Sequence, residues 1–244
     1  MRNRTNQHAL FVFVLIALGA CSSSSTSNRN PAPFDPSTPF VPDVSAEDLQ
    51  TTVDNPLFPL PVGARWVFEA TTPDGLERIE VVVKSETKDV WGTTASSVQD
   101  TVTLDGEIAE DTTDWYAQDS DGNVWYMGED TCEYEDGECV LHAGAWTAGV
   151  DGALPGVAML NDPRVDDVYR QEFYEGEAED YAIVLSLDET VTVPAGTFTN
   201  CLKTRDKSAI DPELDEFKYY CPGVGNVLVE EGDVRVELVE YSGL

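Results

Sequence analysis

The sequence predicts an all-β domain: an antiparallel meander closing into an open or closed barrel, with a two-layer β-sandwich as the alternative. Three observations carry this. Asp-Gly pairs recur at Asp74-Gly75, Asp105-Gly106, Asp121-Gly122 and Asp136-Gly137, and Gly at the second position supplies the positive φ of a tight hairpin. The runs between them are rich in Val, Thr, Tyr, Trp and Phe, and they alternate with period two, the strand period. No window carries helical periodicity over three turns.

The predicted strands are 65–72, 76–86, 94–104, 107–118, 123–134, 138–147, 166–175, 179–187, 190–193, 197–206, 216–221, 225–231 and 233–241, about ten to twelve after merging. Trp66, Phe68 and Ala70 are assigned to one face, as are Tyr181, Ile183, Leu185 and Leu187, and Val234, Val236 and Leu238. Residues 148–165, with Gly149, Gly152, Pro155, Gly156 and Pro163, are expected to form a long loop between two groups of strands. So many strands must close or fold into two layers to hide their edges.

Ahead of this domain lies an export signal. Arg2 and Arg4 precede an apolar run from Ala9 to Ala20, too short to span a bilayer and typical of a signal-peptide core. It ends in Leu18-Gly19-Ala20-Cys21, which resembles the lipobox of bacterial lipoproteins. The resemblance implies removal of residues 1–20, acylation of Cys21 and anchoring in the cell envelope of a Gram-negative bacterium. Ser22 in place of Asp implies sorting to the outer membrane. Each buried methylene of the acyl chains adds about 0.8 kcal/mol to anchoring. Residues 21–55, with four serines after Cys21 and five prolines between Pro31 and Pro42, are expected to be a disordered tether. Residues 56–244 remain as a single domain, long enough to bury a sizeable core.

Beyond Cys21 there are four cysteines, Cys132, Cys139, Cys201 and Cys221, and an even number in an exported chain suggests disulfides. If Arg205 faces Phe217 on neighbouring strands, Lys203 faces Tyr219 and Cys201 faces Cys221. Cys132 and Cys139 flank Asp136-Gly137; a three-residue turn would put Glu133 opposite Cys139, so their bridge requires a bulge. A zinc site is the alternative, disfavoured because no C-x-x-C pair occurs and His142 is the one histidine after the signal.

Several stretches together resemble a family of uncharacterised exported bacterial proteins: Asn55-Pro56-Leu57-Phe58-Pro59-Leu60, Asp114 to Asp119, Gly122 to Tyr126, Ala148 to Ala153, Tyr169 to Glu172, Val191 to Phe198, and Tyr219 to Gly225. The resemblance implies a domain boundary near Asn55 and no mechanism. Members read Tyr-Tyr-Ala-Pro-Gly-Val-Gly where this chain has Cys221 for the alanine, so the resemblance makes the Cys201–Cys221 bridge a local addition.

Charge narrows the function classes. Lys+Arg number 14 against Asp+Glu 46, a formal net charge of −32, and no Lys or Arg lies between Lys88 and Arg164. Nucleic acid is excluded as a partner, because phosphate needs the opposite sign. The acids are expected to form a solvated surface, or else to attract a divalent cation or a basic partner. The candidate calcium ligands are Asp119, Asp121 and Asn123, with Glu129 and Asp130 following; Asp-x-Asp-x-Asn can present three oxygens from one turn. An EF-hand is rejected because Val124 stands where its glycine belongs.

Enzyme signals are poor. No G-x-S-x-G and no glycine-rich strand-to-helix loop occur, and paired carboxylates are uninformative among so many acids. Trp91, Trp115, Trp125 and Trp146, with Tyr116 and Tyr126, are candidates to line a sugar or lipid site or to pack in the core. The expectation is a lipid-anchored envelope domain with a non-catalytic binding or structural role toward an envelope ligand or partner protein. The alternative is a carboxylate-dependent hydrolase of envelope glycans.

Overall fold

A computed structural model describes residues 40–244. The signal segment 1–20, Cys21 and tether residues 22–39 lie outside the described residues. Among the described residues no helix is long and apolar enough to cross a membrane; helical structure there is confined to a 3-10 turn, Ala46–Asp48.

Two meanders build one antiparallel sheet. The first runs through β1 (Arg65–Thr72), β2 (Gly75–Val90), β3 (Thr93–Leu104), β4 (Glu107–Gln118) and β5 (Val124–Glu135), extended by β6 (Glu138–Leu141), β7 (Trp146–Thr147) and β8 (Leu154–Met159). The second runs through β11 (Asp180–Val193), β12 (Gly196–Ser208), β13 (Glu216–Cys221), β14 (Gly225–Glu231) and β15 (Val234–Ser242). The meanders join where β15 pairs with β1, setting Trp66 opposite Tyr241 and Phe68 opposite Leu238. Turn chemistry explains the hairpins. At Asp105-Gly106 and Asp136-Gly137 both residues have φ between 51° and 89°, the I′ geometry whose twist suits paired strands.

The other junction is made by one segment that changes partners. β9 (Val168–Arg170) pairs with β11, and β10 (Glu172–Phe173) pairs with β8. Between them Gln171 donates its N–H to the Asp180 carbonyl (2.8 Å) and its Nε2 to Asp206 Oδ2 (3.1 Å). The result is a nearly closed barrel with one unsealed seam, as the barrel expectation holds and the sandwich does not. Gly156 sits at this seam: a Cβ there would collide with the Gln171 carbonyl and the Glu172 amide.

Apolar side chains fall into two groups, one on each side of the β1–β5 wall. Trp66, Phe68, Val83, Val98, Val124, Tyr220 and Leu238 pack inside the barrel. Trp115, Ala117, Trp125, Met127, Trp146 and Ala148 pack together with Leu49 and Val90 in a separate cluster. Period two produces the division: on β4, Asp114 and Tyr116 face the lumen while Trp115 and Ala117 face away.

Four expectations need correction. Residues 49–55, assigned to the tether, belong to the packed domain: Leu49, Val53 and Asn55 are buried, and Gln50 bridges to Gln118. The predicted 148–165 loop contains β8, because residues 154–159 complete the edge of β5. The face of β11 was reversed. Ala182 and Val184 are fully buried in the cluster inside the barrel, whereas Leu185 and Leu187 are exposed. The predicted strands 166–175 and 138–147 are both split, the first at Gln171 by the seam and the second over 142–145 between β6 and β7, while 179–187 and 190–193 merge into β11.

Both disulfides form. The register Arg205–Phe217, Lys203–Tyr219 and Leu202–Tyr220 leads to a bridge between Cys201 and Cys221, with Cα atoms 4.2 Å apart. Cys132 and Cys139 are bridged at a Cα separation of 5.8 Å. The bulge their bridge requires lies between Glu133 and Tyr134, and a two-residue turn places Tyr134 opposite Cys139 instead of Glu133.

Candidate functional site

One end of the barrel is strapped by residues 54–60. Gln118 Oε1, at the end of β4, accepts the N–H groups of Asp54 and Asn55, each at 2.9 Å. Asn55 Nδ2 donates to the Gly122 carbonyl (2.9 Å) in the β4–β5 turn. The Pro56 carbonyl accepts the Gly223 N–H (2.7 Å) from the β13–β14 turn. The strap carries Phe58 inward, where its ring centre lies 5.2 Å from that of Tyr116 on β4 and 6.3 Å from that of Tyr220 on β13.

Beside Phe58 the lumen holds a cavity of about 300 Å³, at the lower end of the range for small-molecule sites. Trp66, Phe68, Ile79, Val81, Val98, Val229 and Val236 form its apolar wall, and Asp100, Asp114, Tyr116, Lys218, Tyr220 and Asn226 add polar groups. The Trp66 indole N–H donates to the Val224 carbonyl at 2.7 Å, which fixes that ring.

Acidic side chains enter this apolar space at lumen-facing positions. Val83, Val98, Asp114 and Glu129 lie side by side across β2 to β5, as do Val81, Asp100, Thr112 and Thr131. Burial, followed by repulsion from Asp114 and Glu110, pushes the Asp100 carboxyl well above its ordinary range. Burial raises Asp114 to about 6, against the lowering effect of the Tyr126 hydrogen bond. Burial, reinforced by the charge of Asp114, raises Glu129 to about 8. On the opposite wall Lys218 Nζ sits 3.2 Å from both Asp206 Oδ2 and Glu216 Oε2. Burial pulls this ammonium down, but the two carboxylates outweigh it and its net shift is upward. Asp100 Oδ1, Thr204 Oγ1 and Asp206 Oδ1 are sealed from solvent without a hydrogen-bond partner among the described residues.

The candidate calcium ligands do not converge. Asp119 is buried and already accepts four hydrogen bonds: Oδ1 from the N–H groups of Asp121 and Asn123, Oδ2 from Asn123 Nδ2 and Trp125 Nε1, at 2.8–2.9 Å. It is the organising acceptor of the β4–β5 turn. Glu129 lies along β5 against Tyr126 Oη (3.0 Å). Asp130 points the other way, exposed, with Oδ1 3.7 Å from His142 Nδ1. Among the described residues one His/Cys/Asp/Glu grouping is compact enough for a metal, Cys132, Cys139 and His142, and both of its sulfurs are in the disulfide.

The aromatic candidates divide. Tyr116 lines the cavity and stacks on Tyr126 at 5.0 Å. Trp115, Trp125 and Trp146 are in the other cluster, with Trp91 packed at its margin. The tryptophan at the cavity is Trp66. Sequence reasoning missed Asp100, Lys218 and Phe58. The signal for Asp100 was present, since in Val98-x-Asp100-x-Val102 the acid occupies an apolar phase of the strand. Lys218 and Phe58 reach the lumen through register and the strap, which one sequence does not display.

Chemically, the lumen offers an apolar wall, aromatic faces and buried carboxyl groups. Asp114 and Glu129 converge on one phenol rather than facing each other across open space, which leaves no gap for a bond to be cleaved between them. No family model, curated protein or solved structure matches this chain.

Proposed function

We propose that the chain is a lipid-anchored domain of the cell envelope that binds a small ligand in its barrel lumen without catalysis. Anchoring through acylated Cys21, at the outer membrane of a Gram-negative bacterium, is part of this reading and rests on the lipobox. The two disulfides suit an oxidising compartment. The observation that carries the binding role is the cavity of about 300 Å³ with its largely apolar wall, since a concave, mostly apolar space with a few convergent polar groups is the usual form of a small-molecule site. The hydrolase alternative is less well supported, because Asp114 and Glu129 are engaged with Tyr126.

Titration with N-phenyl-1-naphthylamine, an uncharged dye that brightens in apolar surroundings, tests the reading. Saturable binding of one dye per chain is expected, and Val229→Trp, which fills the cavity, should abolish it. Unsaturable binding, or binding unaffected by Val229→Trp in a folded variant, would count against a lumen site.

A further inference from the structure

We infer that the lumen's ligand is a small organic cation, an ammonium group on an apolar body, with the ammonium placed against Asp100. The inference rests on the lumen being a binding site and names the chemistry it selects. Asp100 lies on the cavity wall between Val81 of β2 and Thr112 of β4, and no donor among the described residues reaches its carboxyl group, of which Oδ1 is packed away from water and the remainder is what the cavity can meet. A buried carboxyl oxygen without a donor lowers stability, and an ammonium placed beside the group favours its charged form over the neutral acid that burial alone favours.

The cation on the cavity wall is committed elsewhere: Lys218 is held between Asp206 and Glu216. Among the described residues lining the cavity no other cation is present, so a positive group from outside is the complement Asp100 lacks. Such a group would also lie among Phe58, Tyr116 and Tyr220, whose ring faces attract cations. An anionic head would meet Asp100 and Asp114 with no unpaired cation beside them among the described residues lining the cavity. A bare metal ion fits less well: calcium needs six to eight oxygens, no three carboxylates in the described residues lie close enough to share an ion, and the apolar wall would contribute nothing to it.

Three probes of one shape separate the possibilities: 2-phenylethylamine, 2-phenylethanol and 3-phenylpropanoate, each titrated calorimetrically at neutral pH in moderate salt. The amine should bind at least tenfold more tightly than the alcohol, and the acid should not bind measurably. Asp100→Asn should reduce the amine to the alcohol's affinity while leaving the alcohol unchanged. Amine and alcohol binding equally to the parent protein would overturn the cation inference and leave the lumen site standing. A preference for the amine that survives Asp100→Asn would overturn the assignment to Asp100. Failure of all three probes, together with failure of the naphthylamine dye, would remove the lumen site itself. The parent protein's ranking of the three decides the ligand class even if Asp100→Asn does not fold.

Discussion

The carboxyl groups of Asp114 and Glu129 meet at one hydroxyl, that of Tyr126, at 2.6 Å and 3.0 Å. A phenol has one proton to donate. If Tyr126 gives it to Asp114, the Glu129 carboxyl must carry its own proton and donate to the phenolic oxygen. The upward displacement of Glu129 to about 8 agrees with this, and burial, then the charge of Asp114, causes it.

The arrangement predicts an inverted pH dependence of stability. Glu129 has an ordinary value near 4.5 and is raised to about 8 on folding; Asp114 rises from 3.8 to about 6, and burial raises Glu231 to about 7. The folded state therefore holds extra protons between these limits. The contribution is complete below the unfolded values and is lost as pH climbs through about 6 to 8. Glu80 and Asp215, held below their ordinary values by Arg65 and Arg205, act in the opposite sense but only in more acidic solution. Thermal melts should show a higher midpoint near pH 5 than near pH 8, and Glu129→Gln should flatten that slope. A midpoint that rises steadily from pH 5 to pH 8 would contradict the protonated Glu129.

The bridges should contribute unequally. Cys201 and Cys221 are almost wholly buried and span 20 positions, whereas Cys132–Cys139 closes a surface hairpin over 7. Removing a native disulfide costs about 2–5 kcal/mol, with longer loops toward the upper end. Replacing Cys201 and Cys221 by Ser should lower the denaturant midpoint clearly more than the same change at Cys132 and Cys139. Non-reducing peptide maps should join 132 to 139 and 201 to 221; a peptide joining Cys139 to Cys201 would contradict the connectivity.

Asp119→Ala should unfold the β4–β5 turn with or without calcium. The variant loses four hydrogen bonds to one carboxylate, and hydrogen bonds to a charged group contribute about 1.5–3 kcal/mol each. Because that carboxylate is already engaged, calcium should raise the parent's melting midpoint no more than sodium chloride of equal ionic strength. A calcium-specific rise abolished by Asp121→Ala would contradict this.

Gly156→Ala tests the seam. Its methyl group has no room against the Gln171 carbonyl and Glu172 amide, and overpacking of this kind costs about 1–3 kcal/mol. Hydrogen exchange should accelerate at Glu172 and Phe173, where β10 meets β8, while amides of β2 and β3 keep their protection in proportion to global stability. Unchanged exchange at the seam would show that the barrel closes some other way.

Much of this fold was legible because Asp-Gly turns and period-two runs are local signals. The turns at Asp105-Gly106 and Asp136-Gly137, and the β12–β13 register leading to Cys201 and Cys221, needed nothing beyond neighbouring residues. The lumen was not legible. Asp114, Glu110 and Glu129 looked like part of a solvated acidic face, and only barrel closure turns that side of β4 and β5 inward. The exposed Leu185 and Leu187 misled for a related reason: Ala182 and Val184 are smaller but face the barrel interior.

Methyl-resolved NMR of the valines during titration with 2-phenylethylamine tests the lumen site most directly. Val81, Val98, Val229 and Val236 line the cavity, whereas Val90 packs in the other cluster. The four lumen valines should shift along one saturable curve while Val90 stays in place. Saturable binding that moves Val90 and leaves the lumen valines unmoved, or no shift at any of the five, would contradict a ligand site inside the barrel.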